Sequence, residues 1–154
     1  MVARRTLTFH SLDAAVADAE RLYAVGYEKT GKWDLAQVTG HLANWLGYAM
    51  DGYPRGPLPI RMLMWIARNT VGPRLFRKYL AEGRLPDARP TMPQSVPNPS
   101  GDDQAAVTNY KRTVERATGL SGNPIPSPFF GRLTKEEWVQ LNCVHAAHHL
   151  SFLV

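Results

Sequence analysis

The sequence predicts an all-α protein, an up-down bundle of four helices with one extra short helix and long proline-rich loops. Apolar side chains recur three and four positions apart in several stretches, and glycine, proline or aspartate separates those stretches. Strand-like alternation is confined to Thr6–Phe9, where the pattern predicts a short strand. A length of 154 residues allows one domain, covering residues 1–154, with a buried core.

The first two helices have clear boundaries in the sequence. Ser11 is a typical N-cap for a helix over residues 12–25, which the following glycine can end. Asp34 can cap a second helix, and the Asp-Gly-Tyr-Pro segment at 51–54 closes it. The apolar face of this second helix carries His41 at its middle.

The middle of the chain combines helix formers with prolines. Residues 60–81 predict a third helical stretch that Gly72-Pro73 breaks or kinks, and residues 56–59 predict a turn before it. Residues 84–100 contain five prolines and no apolar periodicity, so we expect a long loop there.

Two further helices complete the predicted bundle. Asp102 or Asp103 can cap a helix that runs to about Ala117. A second loop rich in glycine and proline follows over 122–131. Thr134–Glu137 is a capping box, which predicts the start of the last helix.

Four of the five histidines are candidate metal ligands. His145, His148 and His149 fall within five residues of the last helix, and His41 lies in the second helix. Residues four apart share a helix face, so His145 and His149 can bind one ion, and His41 completes a three-nitrogen site with an open position. His148 is an alternative partner for His145, or else supports the ligands or lines the pocket. Imidazole ligands favour Zn or Ni, with Fe as a further candidate.

These histidines and the neighbouring cysteine also have simpler explanations than metal binding. One histidine on an apolar face is usually an ordinary core residue, but burying several imidazoles without partners is costly. Cys143 points about 200° away from His145 on the helix, so we interpret it as a small buried side chain. The chain lacks His-Glu-x-x-His and Gly-x-Ser-x-Gly motifs, so no catalytic side chain is assigned.

Charge and composition limit which partners the chain is expected to bind and in which cellular compartment we expect it. The net charge of +5 is mild and spread along the chain, which does not favour nucleic acid as a partner. The single cysteine excludes an intramolecular disulfide and indicates the cytoplasm. The longest apolar run, Met62–Ala67, is too short to span a bilayer, so we expect no membrane association.

The third helical stretch is markedly basic. We interpret this first as a solvated face, and alternatively as a rim that attracts an anionic substrate. The residues are Arg61, Arg68, Arg74, Arg77 and Lys78.

Short segments in order along nearly the whole chain resemble a known group of proteins. They are Arg5–Phe9, Ser11–Asp13, Gly31-Lys-Trp33, His41-Leu42, Asp51–Pro54, Phe130–Thr134, Trp138 and His145-x-x-His148-His149-Leu150. Together they resemble the DinB/YfiT-like superfamily of metal-dependent bundle enzymes, in a branch known as a domain of unknown function. The resemblance implies a DinB-like four-helix bundle, often dimeric, whose metal ligands are His41, His145 and His149. Some relatives are transferases or isomerases that use low-molecular-weight thiols.

Two interpretations of the function follow. The first is a small cytoplasmic metalloprotein that acts on a small-molecule substrate as a metal-dependent transferase or hydrolase, with a low-molecular-weight thiol as a candidate cofactor. The alternative is a non-catalytic dimeric bundle whose histidines hold a structural metal or only satisfy one another. In that case the Trp- and Met-rich third helical stretch is the dimer interface. We expect a homodimer in either case.

Overall fold

A computed structural model of the chain describes residues 3–87, 91–98 and 101–154. Over these ranges the chain forms six α-helices and one 3-10 turn, and it contains no named strand. None of the described helices combines the length and apolar character needed to cross a bilayer. The all-α prediction is confirmed. The elements are α1 Leu12–Val25, α2 Leu35–Asp51, α3 Leu58–Asn69, α4 Gly72–Glu82, the 3-10 turn Pro93–Ser95, α5 Asp103–Thr118 and α6 Lys135–Leu150.

Four of the helices, α1, α2, α5 and α6, pack against one another around a hydrophobic core. Each contributes fully buried or nearly buried side chains, because each has apolar residues at helical spacing on one face. This arrangement agrees with the predicted helical bundle. α4 reaches the same core through Phe76, whereas α3 contributes no buried residue. Large core side chains include Leu22, Leu46, Tyr110, Val114, Trp138 and Leu150.

The predicted helix starts are confirmed by hydrogen bonds of the capping residues. Ser11 caps α1 by accepting from the backbone of the first turn. Asp34 and Gln37 form a capping box at α2, and Thr134 and Glu137 form one at α6. These local bonds fix where the two histidine-bearing helices begin.

The start of α5 resolves the alternative between two aspartates. Asp102 is the N-cap, and its side chain accepts from the third residue after it. Asp103 instead accepts from the backbone N–H of Ala36 at 2.8 Å and from the Tyr27 hydroxyl at 3.1 Å. Asp103 therefore ties the start of α5 to the start of α2.

The third helical stretch, predicted over 60–81, consists of two helices, and the first of them begins two residues earlier than predicted. The turn predicted over 56–59 is wrong in part, because α3 begins at Leu58 with a proline in its first turn. Proline is tolerated there, since the first-turn N–H groups have no helical partner. The break before Gly72 is confirmed, and a Cβ at Gly72 would lie 2.0 Å from the carbonyl oxygen of Phe129.

The strand predicted over Thr6–Phe9 is wrong, because no strand among the described residues pairs with this segment. It follows Arg5, whose backbone N–H donates to Ser151 at 3.1 Å. The Arg5 guanidinium also donates to both carboxylate oxygens of Asp18, at 2.8 and 2.7 Å, and to the carbonyl of Leu150. The N-terminal segment is thus held against the end of α6.

The predicted long loop over 84–100 is described in part. Residues 88–90 and 99–100 lie outside the described residues. The described portion 91–98 carries the 3-10 turn and lies along α2. We call this portion the strap.

The strap is fastened to α2 by side-chain hydrogen bonds. Gln37 donates to the carbonyl of Pro97 at 3.3 Å, and the Tyr48 hydroxyl donates to the carbonyl of Gln94 at 3.2 Å. Gly40 allows the close approach, because a Cβ there would lie 2.5 Å from Cγ of Pro97.

Candidate metal centre

Three histidines from α2 and α6 converge on one point. One ring nitrogen from each of His41, His145 and His149 lies within 4.8 Å of the other two. The Nε2 atoms of His41 and His145 are 3.1 Å apart. His145 and His149 share one face of α6, one turn apart, and His41 faces them from α2. We call these three residues the triad.

The strap determines which nitrogen of His41 faces the triad. The Nδ1 atom of His41 lies 3.1 Å from the carbonyl oxygen of Ser95. A carbonyl can only accept, so Nδ1 of neutral His41 carries the proton and Nε2 has the free lone pair. Asn44 donates to the same carbonyl at 3.1 Å, which holds that oxygen in place. A hydrogen bond of this kind behind a ligand is typical of metal-binding histidines.

The triad histidines are held in the neutral form that binds metals. Burial lowers the pKa of His41 to about 4. Burial is also the main cause that lowers the pKa of His145 and of His149 well below the usual value, and the neighbouring histidines lower both further. At neutral pH all three imidazoles therefore offer lone pairs.

The donor set fits a tetrahedral divalent ion. Zn–N bonds of about 2.0–2.1 Å place two ligand nitrogens ~3.3 Å apart in a tetrahedral site. The 3.1 Å separation of the His41 and His145 nitrogens is close to this value, and separations of up to 4.8 Å within the triad would have to shorten around such an ion. Among the described residues, no carboxylate or thiol belongs to this group. Three imidazoles leave a fourth position open for a water or another ligand.

Tryptophan rings surround the triad. Trp33 stacks on His149 with ring centroids 5.1 Å apart and an angle of 8°, and its edge contacts His41 at 5.0 Å. Trp45 lies edge-on to His41 at 6.3 Å and to His145 at 6.1 Å. His41 is 1% exposed, whereas His145 and His149 are partly exposed. The site is therefore covered on the α2 side, and its partly exposed residues are those of α6.

His148 is placed differently from the triad. Its Nδ1 atom lies 3.3 Å from the Arg4 guanidinium and 3.8 Å from a carboxylate oxygen of Asp87. Together with these two residues it lines a surface cavity of about 580 Å³. The geometry therefore groups His149, and not His148, with His145. His148 contacts the ring of His149 and so adjoins the cluster without joining it.

Ser95 and Trp33 were not identified as parts of the site from the sequence. Ser95 lies in a proline-rich segment with no periodicity, and no sequence signal marks a backbone carbonyl as a histidine partner. Trp33 precedes α2 and has no role of its own in the predicted site. The Gly31-Lys-Trp33 segment in the resemblance to other proteins was the one signal that could have drawn attention to it.

Comparison with known families places the chain in one of them. The family model described as "Protein of unknown function (DUF1569)" matches residues 1–154, the whole chain. The chain belongs to the DUF1569 family. No curated protein and no solved structure matches this DUF1569 chain. Because the function of the family is unknown, the chemistry of this DUF1569 protein has to be argued from its own residues.

Cys143 of this DUF1569 protein is a buried residue of α6, as expected. Burial raises the pKa of the Cys143 thiol to about 11. The thiol is therefore protonated at neutral pH, which makes it neither a nucleophile nor a metal ligand. Any thiol chemistry at the triad would need a thiol from outside the chain.

Proposed function

We propose that this DUF1569 protein is a metal-dependent enzyme of the DinB-like type that transfers or hydrolyses a group on a small molecule. The observation that carries the proposal is the convergence of three neutral imidazoles from two helices, with the tautomer of His41 set by Ser95. The ligands we propose are His41, His145 and His149. The ordered segments that resemble the DinB/YfiT-like superfamily support the same ligand set.

The chemistry we propose uses the open position beside three histidines. A bound Zn, Ni or Fe ion would supply a Lewis acid and lower the pKa of a water or a low-molecular-weight thiol. The three imidazoles would hold the ion, and Trp33 and Trp45 would limit the size of the substrate and exclude bulk water. No Asp or Glu in the described residues belongs to the cluster. The nucleophile would therefore come from solvent or from a thiol and not from a side chain.

Metal content tests the ligand set. We expect near one equivalent of Zn, Ni or Fe per untagged wild-type chain by elemental analysis, and loss of that metal in His149→Ala. His10→Ala is the matched control, because His10 is exposed and lies outside the triad. Absence of metal from the wild type after reconstitution would overturn the ligand set. Activity on small electrophiles that survives both metal removal and His149→Ala would overturn the enzymatic role.

A structural role for the same ion is the second candidate, and the near-complete burial of His41 favours it. Replacement by Co(II) distinguishes the two. In an open three-histidine site an added small thiol enters the fourth position and changes the visible spectrum of the cobalt. In a closed structural site the spectrum stays unchanged by the thiol.

A further inference from the structure

Among the described helices, only α3 has no buried residue. Six of its large apolar side chains are between 45% and 74% exposed, which is unusual for a group of large side chains on one helix. They are Leu58, Ile60, Met62, Leu63, Trp65 and Ile66.

The apolar surface of α3 extends around most of the helix. Its charged residues, Arg61 and Arg68, are seven positions apart and form one narrow stripe. A helix that is apolar on most sides is normally covered by protein or by lipid. Among the described helices α3 contacts α4 alone, so most of this surface has no cover within the described chain.

The charge of the chain is concentrated around α3. Residues 52–81 contain six basic residues and no acidic one. The rest of the chain has 12 basic and 13 acidic residues, a balance of −1, so the whole net charge of +5 originates in this segment. The six are Arg55, Arg61, Arg68, Arg74, Arg77 and Lys78.

These cations are not neutralised within the described residues. Lys78 forms the one ion pair of the segment there, with Glu82 at 3.8 Å. Arg55, Arg61, Arg74 and Arg77 are exposed, and no carboxylate pairs with them in the described part of the chain. The segment therefore combines exposed apolar side chains on α3 with exposed arginines that no described carboxylate pairs.

We propose that α3 and the basic segment 52–81 around it bind the surface of an anionic phospholipid bilayer. Exposed Trp, Leu and Met side chains beside arginines match the two requirements of a helix that lies in the lipid interface. α3 has 12 residues and is ~18 Å long, which is too short to span a bilayer, so it would lie in the plane of the headgroups.

A second copy of the chain fits this surface less well than lipid does. A symmetric dimer through α3 would bring the same patch of each copy together, including Arg61 and Arg68 of both, with no acidic residue in the segment 52–81 to offset them. The proposal therefore replaces the expected dimer interface on α3 and departs from the expectation of no membrane association. It goes beyond the proposed enzyme function and does not depend on the triad.

Co-sedimentation of the full chain with vesicles tests the proposal. We expect the protein to pellet with phosphatidylcholine vesicles that contain phosphatidylglycerol, at least about tenfold more tightly than with phosphatidylcholine alone. Raising the salt concentration should weaken the binding. Equal binding to both kinds of vesicle, or to neither, overturns the proposal.

Matched variants locate the binding to α3. The double variant Met62→Asp/Trp65→Asp should lose vesicle binding, while Val25→Asp, an equally exposed apolar residue of α1, should keep it. Arg61→Glu should weaken binding several-fold more than Arg112→Glu, an exposed arginine of α5. Because α3 buries nothing in the core, these variants should fold, and circular dichroism checks this. His149→Ala should bind vesicles like the wild type.

Sedimentation velocity without lipid tests the alternative that a second copy of the chain covers α3. The proposal expects no dimer that depends on α3. A wild-type dimer that Met62→Asp/Trp65→Asp dissociates, together with absence of vesicle binding, would make this surface a self-association interface and overturn the proposal. Salt-sensitive binding to duplex DNA that exceeds binding to anionic vesicles would overturn it as well.

Discussion

At the residue scale, the carbonyl oxygen of Ser95 decides which ring nitrogen of His41 is free to bind a metal, although Ser95 lies 54 positions away in the chain. Without that acceptor the two tautomers of a buried imidazole differ little, and either nitrogen could face α6. With it, Nε2 faces His145 with a free lone pair. A substitution of the Ser95 side chain would leave this bond in place, because the main chain supplies the acceptor.

The acid stability of the metal-free protein depends on the triad. The unfolded chain has histidines with the ordinary pKa of 6.5, whereas the folded pKa of His41 is about 4. Below about pH 6.5 the unfolded state therefore binds protons that the folded state does not. The free energy of unfolding should fall as pH drops from 6.5 to 4, by roughly 3 kcal/mol for His41 alone. His145 and His149 act in the same direction.

Urea denaturation at a series of pH values measures this dependence. His41→Leu should flatten the loss of stability between pH 6.5 and 4, since leucine binds no proton in either state. His10→Leu, at an exposed position outside the triad, is the matched control. If the free energy of unfolding depends on pH equally in wild type and His41→Leu, burial of His41 does not control stability at acid pH.

At the element scale, the contact between α2 and the strap depends on Gly40, whereas Gly47 of the same helix has different surroundings. A methyl at Gly40 would lie 2.5 Å from Pro97, whereas a methyl at Gly47 would meet nothing closer than 3.8 Å. Gly40→Ala should push the strap away, loosen the Ser95–His41 hydrogen bond and weaken metal binding about tenfold or more. Gly47→Ala should leave metal binding unchanged and raise stability by roughly 0.5–1 kcal/mol.

Titration with Zn against a competing chelator, beside urea denaturation, compares the two glycine variants. Equal metal affinity in Gly40→Ala and Gly47→Ala would mean that the strap does not support His41. Both variants replace a glycine of α2 with alanine, so the effect of that replacement on helix propensity is common to both.

Helix boundaries could be predicted from the sequence because capping is local. Ser11, Asp34 and Thr134 each bond to a backbone group within three residues, and the sequence carries both partners. The His145–His149 spacing is local as well. The bond between His41 and Ser95 joins two distant segments, and nothing in the composition of a proline-rich loop specifies it. The choice between Asp102 and Asp103 stayed open for the same reason, since the partners of Asp103 are Ala36 of α2 and Tyr27.

At the scale of the whole molecule, periodicity predicted which helices have an apolar face but not what covers it. The pattern of α3 is as strong as that of α1, yet α1 lies in the core and α3 lies outside it. What covers an apolar face depends on where elements lie in three dimensions, which a one-dimensional pattern does not contain. The uneven distribution of the +5 charge is different, because the six basic and no acidic residues of 52–81 can be counted in the sequence itself.

Metal binding should stabilise the whole bundle, because the triad joins α2 to α6. A ligand that binds only the folded state at a hundredfold excess over its Kd stabilises it by about 2.7 kcal/mol. For a chain of this size that corresponds to a rise in Tm of roughly 5–10 °C. Thermal denaturation with and without a chelator should show this rise in the wild type and lose it in His149→Ala. An equal rise in both would place the stabilising ion elsewhere.

The burial of Cys143 gives this protein an internal probe of its own opening. Cys143 is the single cysteine of the chain and lies on the same helix as two of the triad histidines. The residue is 4% exposed, and the pKa of its thiol is about 11. A thiol-reactive dye should therefore label the native protein only during excursions that separate α6 from the core. The labelling rate, measured with and without Zn, would report how often α6 separates from the core.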